Sequence, residues 1–204
     1  MQISRVFILA CALTAASQAV WADCRTAADL GRGVVVGYGN GDVNILQRRS
    51  DGYIMVDEQP ASGVALRLRA HRGLYFVEEY EPGPDGAPLA GTYTRIDFDE
   101  DPATLPTPVP GASWDGRTRI VSADGSGRDE RASYRFAAAD PIVLSGCSYD
   151  VVRVDVRYDW GDQGGMSLIY AYLPALGSAV LISSQVDGSA LRVAQPVTLA
   201  RVSK

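Results

Sequence analysis

Beyond residue 32 the chain is a succession of short runs in which apolar and polar residues alternate, most of them ended by a turn-forming pair. Successive side chains of an extended backbone point to opposite sides, so a period of two marks a strand with one buried and one wet face. In the longest run, 147–160, Val152, Val154, Val156, Tyr158 and Trp160 point one way and Arg153, Asp155, Arg157 and Asp159 the other. Tyr149 and Val151 put apolar groups on the opposite parity, which predicts a bulge or bend near Val151 and Val152. Val64, Leu66, Leu68 and Ala70 alternate in the same way with Arg67, Arg69 and His71. Residues 166–173 are apolar on both parities and predict a central strand covered on both faces.

Six Asn-Gly or Asp-Gly pairs punctuate the runs: Asn40-Gly41, Asp51-Gly52, Asp85-Gly86, Asp115-Gly116, Asp124-Gly125 and Asp187-Gly188. Such pairs favour two-residue hairpin turns because both residues tolerate positive φ. Between them, runs at 33–38, 43–48, 53–59, 64–70, 74–81, 92–98, 117–121, 132–137, 147–160, 166–173, 179–186 and 191–202 read as strands. The prediction is an all-β fold, an antiparallel meander forming a curved sheet, half-barrel or sandwich after an N-terminal signal helix. Otherwise helix is confined to a turn or two at 26–30. The acidic, Pro-rich stretch 97–112 either separates two sheets or loops over one continuous sheet. No fixed-period repeat points to a propeller or solenoid.

The first residues follow a different logic. Residues 1–5 carry one positive charge, residues 6–16 are apolar and small, and Val20 and Ala22 stand three and one residues before Asp23. This is the layout of a secretory signal peptide cleaved after residue 22, leaving 23–204 as a single β domain with a subdivision at 97–112 as the alternative. A spanning helix needs about 20 apolar residues, and Ser17 and Gln18 interrupt this run. A lipid-modified start at Cys11, after Ile8, Leu9 and Ala10, is the competing reading. Cleavage predicts a periplasmic or secreted bacterial protein without a stable membrane span. It also removes Cys11, so the pair left, Cys24 and Cys147, predicts a disulfide.

Arg5 is the only charged residue of the leader, so 18 of the 19 basic residues remain against 24 acidic ones. The arginines are scattered and Lys204 is the only lysine, so nucleic-acid binding has no electrostatic footprint. His71 is the only histidine, and any Ser-His-Asp, Cys-His or multi-histidine metal site would have to use it. Beside the Arg72-Gly73 turn it reads as an exposed histidine. Asp97, Asp99, Glu100 and Asp101 lack the Gly and the twelfth acidic residue of a calcium loop, Pro108 standing in the latter place, and read as a solvated loop. Glu78, Glu79 and Glu81 could supply a carboxylate pair for glycoside hydrolysis, although nothing in their spacing fixes a separation. Gly37, Gly39 and Gly41 are wrongly spaced for a nucleotide loop and precede a strand, so they read as a hairpin. No catalytic residue, cofactor or metal ligand is assigned.

From Gly146 onward, Gly-Cys-Ser-Tyr, a long alternating strand, a glycine turn and Tyr172-Leu173-Pro174-Ala175-Leu176-Gly177 resemble the C-terminal part of uncharacterised exported proteobacterial β-proteins. More remotely, this order is similar to periplasmic β half-barrels of the lipoprotein-carrier type. The resemblance implies a curved sheet with an apolar concavity; the helices that close the mouth of those carriers have no counterpart in the pattern. The expected function is a non-enzymatic envelope module that binds an apolar ligand or protein segment, with Trp160, Leu168, Tyr170 and Tyr172 as candidate lining residues. The alternatives are an interaction protein that assembles through its sheet edges and, third, a hydrolase using carboxylates alone.

Overall fold

A computed structural model describes residues 23–203, and the predicted leader, 1–22, lies outside them. Thirteen strands among the described residues follow one another: β1 (Val34–Tyr38), β2 (Val43–Arg48), β3 (Ile54–Gln59), β4 (Leu66–His71), β5 (Tyr75–Tyr80), β6 (Thr94–Phe98), β7 (Ser113–Ser122), β8 (Gly127–Leu144), β9 (Cys147–Asp159), β10 (Gly165–Leu173), β11 (Ser178–Val186), β12 (Arg192–Val193) and β13 (Pro196–Arg201). All belong to one antiparallel sheet in which consecutive strands from β1 to β12 pair with each other and β13 pairs with β1. Among the described residues there is no α-helix, only 3-10 turns at Asp29–Gly31, Pro102–Thr104 and Gly161–Gln163. β6 pairs with β7 from Thr94↔Ser122 to Phe98↔Thr118, so the acidic stretch loops over one continuous sheet.

The sheet is strongly curved, and the reason can be read from its ends. β12 and β13 occupy opposite ends of the strand order, yet only Ala194 and Gln195 separate them in the chain. Three residue steps span at most about 11 Å, so the two ends of the sheet must approach each other in space. Ala194 N–H donates to Ile182 O at 2.8 Å and Gly39 N–H to Gln195 O at 2.8 Å, which fastens the corner to both ends. The ladder is not closed into a barrel, but one piece of chain covers both of its edges.

Curvature brings opposite walls together as core. Val34, Val36, Leu46, Ile54 and Val56 of β1–β3 share one cluster with Leu173, Leu176 and Val180 around β10 and β11. Tyr75, Trp114, Tyr134, Phe136, Val152, Val154, Tyr158 and Tyr172 form a second, and Phe76 and Leu181 touch both. In β10, Ala171 and Leu173 enter the first cluster and Tyr170 and Tyr172 the second, which is why that run is apolar on both parities.

The polar parities carry cross-strand ion pairs: Arg69 to Glu78 at 2.9 Å and to Asp51 at 3.1 Å, Arg119 to Asp129 at 2.7 Å, Arg157 to Asp187 at 2.6 Å, and Arg67 to Asp57. β9 changes its buried parity between Val151 and Val152, and the ladder shifts opposite, between Ala139 and Ile142 of β8. There Asp140 and Pro141 form the bulge, where a proline costs no ladder bond.

Two expectations need correction. Asp115-Gly116 is not a turn but lies inside β7, because the indole of Trp114 folds back over Gly116 and occupies the space a Cβ would take. His71 is not exposed. Its half-buried ring meets Tyr53 edge-on at 5.8 Å, its Nε2 is shielded without a hydrogen-bond partner, and burial lowers its pKa.

Cys24 and Cys147 form the predicted disulfide, with an S–S distance of 2.04 Å. It ties the start of the described chain to the first residue of β9, where Arg25 N–H donates to the Tyr149 hydroxyl at 2.7 Å. In the chain-entropy treatment a loop of this length stabilises the fold by about 4–5 kcal/mol.

A candidate ligand cleft

The curved sheet encloses a cleft of about 450 Å3 to which every strand from β3 to β12 contributes. Its apolar wall is Leu66, Leu68, Phe76, Ile96, Ile120, Met166, Leu168, Tyr170 and Leu181. Of the residues singled out in the sequence, Trp160, Leu168 and Tyr170 line the cleft, while Tyr172 sits in the core beside it. Beneath the cleft the aromatic cluster continues through Tyr158, Tyr134 and Tyr75. The hydroxyls of Tyr134 and Tyr158 are 2.7 Å apart, and burial pushes the Tyr158 phenol up to about 12. A smaller recess of about 120 Å3 shares Glu58, Leu66, Leu181 and Arg192 with the cleft and extends it toward Tyr38 and Asn44.

Five charged side chains interrupt the apolar wall: Glu58, Glu79, Glu130, Arg128 and Arg192. They are not equivalent. Arg128 bonds Glu130 at 3.1 Å and lies over the Trp160 ring at 4.2 Å, and Thr118 donates a second bond to Glu130 at 3.1 Å. Arg128 Nε and Trp160 Nε1 are shielded from solvent without an acceptor. Arg192 is held by Asp42 at 2.8 Å. Burial raises the pKa of Glu58, and the charge of Glu79 adds to that shift, against a smaller opposing effect of Arg192 and an Asn44 hydrogen bond. For Glu79 burial alone is the cause.

The carboxylates suggested by the sequence are dispersed. Glu78 faces outward to Arg69, whereas Glu79 faces the cleft. The reversal comes from the shift in the β4–β5 ladder between Arg69 and Ala70, which leaves Val77 as an extra residue. The structure joins Glu79 instead with Glu58 and Glu130, which sequence reasoning missed. Their signal was a charged residue on an apolar parity: Glu58 after Ile54 and Val56, and Glu130 before Ala132, Tyr134 and Phe136. The acidic loop is used locally. Glu100 accepts from Trp114 Nε1 at 3.1 Å, Asp101 caps the turn at Pro102–Thr104, and Asp97 pairs with Arg95 at 2.7 Å. Among the described residues no group of three or more His, Cys, Asp or Glu could hold a metal ion. Also among them, no helix is long and apolar enough to cross a membrane.

Fold and cleft together define an all-β, disulfide-bonded protein with an amphipathic cleft. Compared with known proteins, the chain matches no family model, no curated sequence and no solved structure.

Proposed function

We propose that this is an exported, non-enzymatic binding module of the bacterial envelope that holds the apolar body of a small ligand in the cleft between β3 and β12. The observation that carries the reading is the wall itself, with nine apolar side chains from six strands converging on one space of about 450 Å3. Small-molecule sites are built this way, as concave apolar surfaces with a few placed polar groups. The disulfide supports an oxidising compartment, periplasmic or extracellular.

Two observations weigh against the competing readings. Assembly through sheet edges needs a long free edge, but the end strand β12 has two residues, and on the other end strand, β13, Ser145 donates to Val197 O and accepts from Leu199 N–H. A two-carboxylate hydrolase needs its acid and base pushed apart in pKa, whereas Glu58 and Glu79 are both pushed up.

The test is titration of the purified, oxidised protein with the uncharged fluorophore N-phenylnaphthylamine. The expected result is a saturable one-to-one rise in emission that Leu168→Arg abolishes while near-ultraviolet circular dichroism is unchanged. Absence of saturable binding to the unmodified protein would overturn the proposal.

A further inference from the structure

We infer that the ligand is a cationic amphiphile, a protonated amine on an aliphatic or aromatic body, with the ammonium group held at Glu58 and Glu79 and the body against Leu168 and Tyr170. The inference rests on the binding reading above and adds the polarity of the ligand. Three carboxylates and two guanidinium groups line the cleft, but the charges do not cancel evenly. Arg128 is committed to Glu130, and Arg192 to Asp42 outside the cleft wall. Glu58 and Glu79 form no ion pair of 4 Å or less with any described residue, and they belong to β3 and β5, the strands flanking β4, on the same wall of the cleft. Leu68, directly across the ladder from Glu79, and Leu66, directly across from Glu58, put apolar surface between the two carboxylates.

Two like charges facing one partly dry space repel each other, and the guanidinium that acts on Glu58, that of Arg192, is already held by Asp42, so the missing partner is a cation. An anionic amphiphile of fatty-acid type would bring a third negative charge to the same wall. The apolar remainder of the cleft excludes a small hydrated cation as the favoured occupant, because Phe76, Ile96 and Met166 offer it no oxygen. Body and head thus call for different chemistry at the two ends of one molecule.

Three probes of equal chain length separate the contributions: decylamine, decanol and decanoate, each titrated calorimetrically at neutral pH into the oxidised protein. The expected order is decylamine first, by at least about tenfold over decanol, with decanoate weakest. In Glu58→Gln/Glu79→Gln the preference for decylamine over decanol collapses while decanol still binds, which also reports that the variant is folded. Equal affinity for the three probes, or a preference for decanoate, would overturn the cationic head and leave the apolar cleft standing. Failure of all three to bind would overturn the cleft itself and the inference with it.

Discussion

Glu58 and Glu79 make the most direct link between one residue and the behaviour of the whole protein. A carboxyl group whose pKa is higher in the fold than in the open chain penalises folding once it is ionised in both states. For these two groups the penalty is absent below the ordinary glutamate value of 4.5, grows as pH rises through the folded pKa values, and is complete above them. The expected outcome is that Glu58→Gln/Glu79→Gln is more stable than the unmodified protein at pH 7, with the gap closing as the pH is lowered past 4.5. Paired denaturant titrations at the two pH values check it. Asp29, Asp42 and Asp51 act in the opposite sense, since backbone hydrogen bonds lower their pKa values and their contribution is lost in acid. Because both proteins carry them, they cancel from the comparison. At the same scale, Gly116 explains why a turn signal was misread. Asp-Gly is a statement about backbone freedom, whereas here the glycine is needed for the absence of its side chain under Trp114.

Among the elements, the β8–β9 hairpin depends most on counting. Its bulge at Asp140 and Pro141 lets Ile142 and Leu144 share a face with Tyr149 and Cys147 while Phe136 shares one with Val154. Removing one residue there would turn Leu144, which is 1% exposed, toward solvent. Deletion of Asp140 is expected to cost about 2–5 kcal/mol, read as a lower denaturation midpoint together with incomplete formation of the Cys24–Cys147 bond on mass analysis. Most strands were legible because alternation survives in the sequence wherever a ladder is regular: Val43–Arg48 is recovered at both ends and Cys147–Asp159 to within one residue. What the sequence hid follows bulges and distance. The outward turn of Glu78 and inward turn of Glu79 depend on Val77, which nothing local marks as extra. The run at 191–202 reads as one strand, but serves two different partners and breaks at Ala194 and Gln195. The cleft was legible only as a set of aromatic and apolar candidates. Glu58 and Glu130 join it through curvature that no window of sequence contains.

For the molecule as a whole, the decisive feature is that the sheet begins and ends on the same piece of chain. A chain stopped at Gly188 would keep eleven strands but uncover the flanks of β11 and β1. Exposed edges of that kind pair with whatever strand they meet, so the truncated protein is expected to form higher-mass species by light scattering and to lose probe binding. The same corner governs the order of events during folding. Val34 pairs with Arg201 and Leu199 with Val36, contacts between the two extremes of the described chain. Loop-closure entropy must be met before such contacts are rewarded, and sheets that rely on them fold on the slow side, over about milliseconds to seconds. A polypeptide that crosses a membrane N-terminus first cannot complete this sheet until its final strand has emerged. Under the proposed export, the chain would travel open and complete its cleft only after its last strand has crossed.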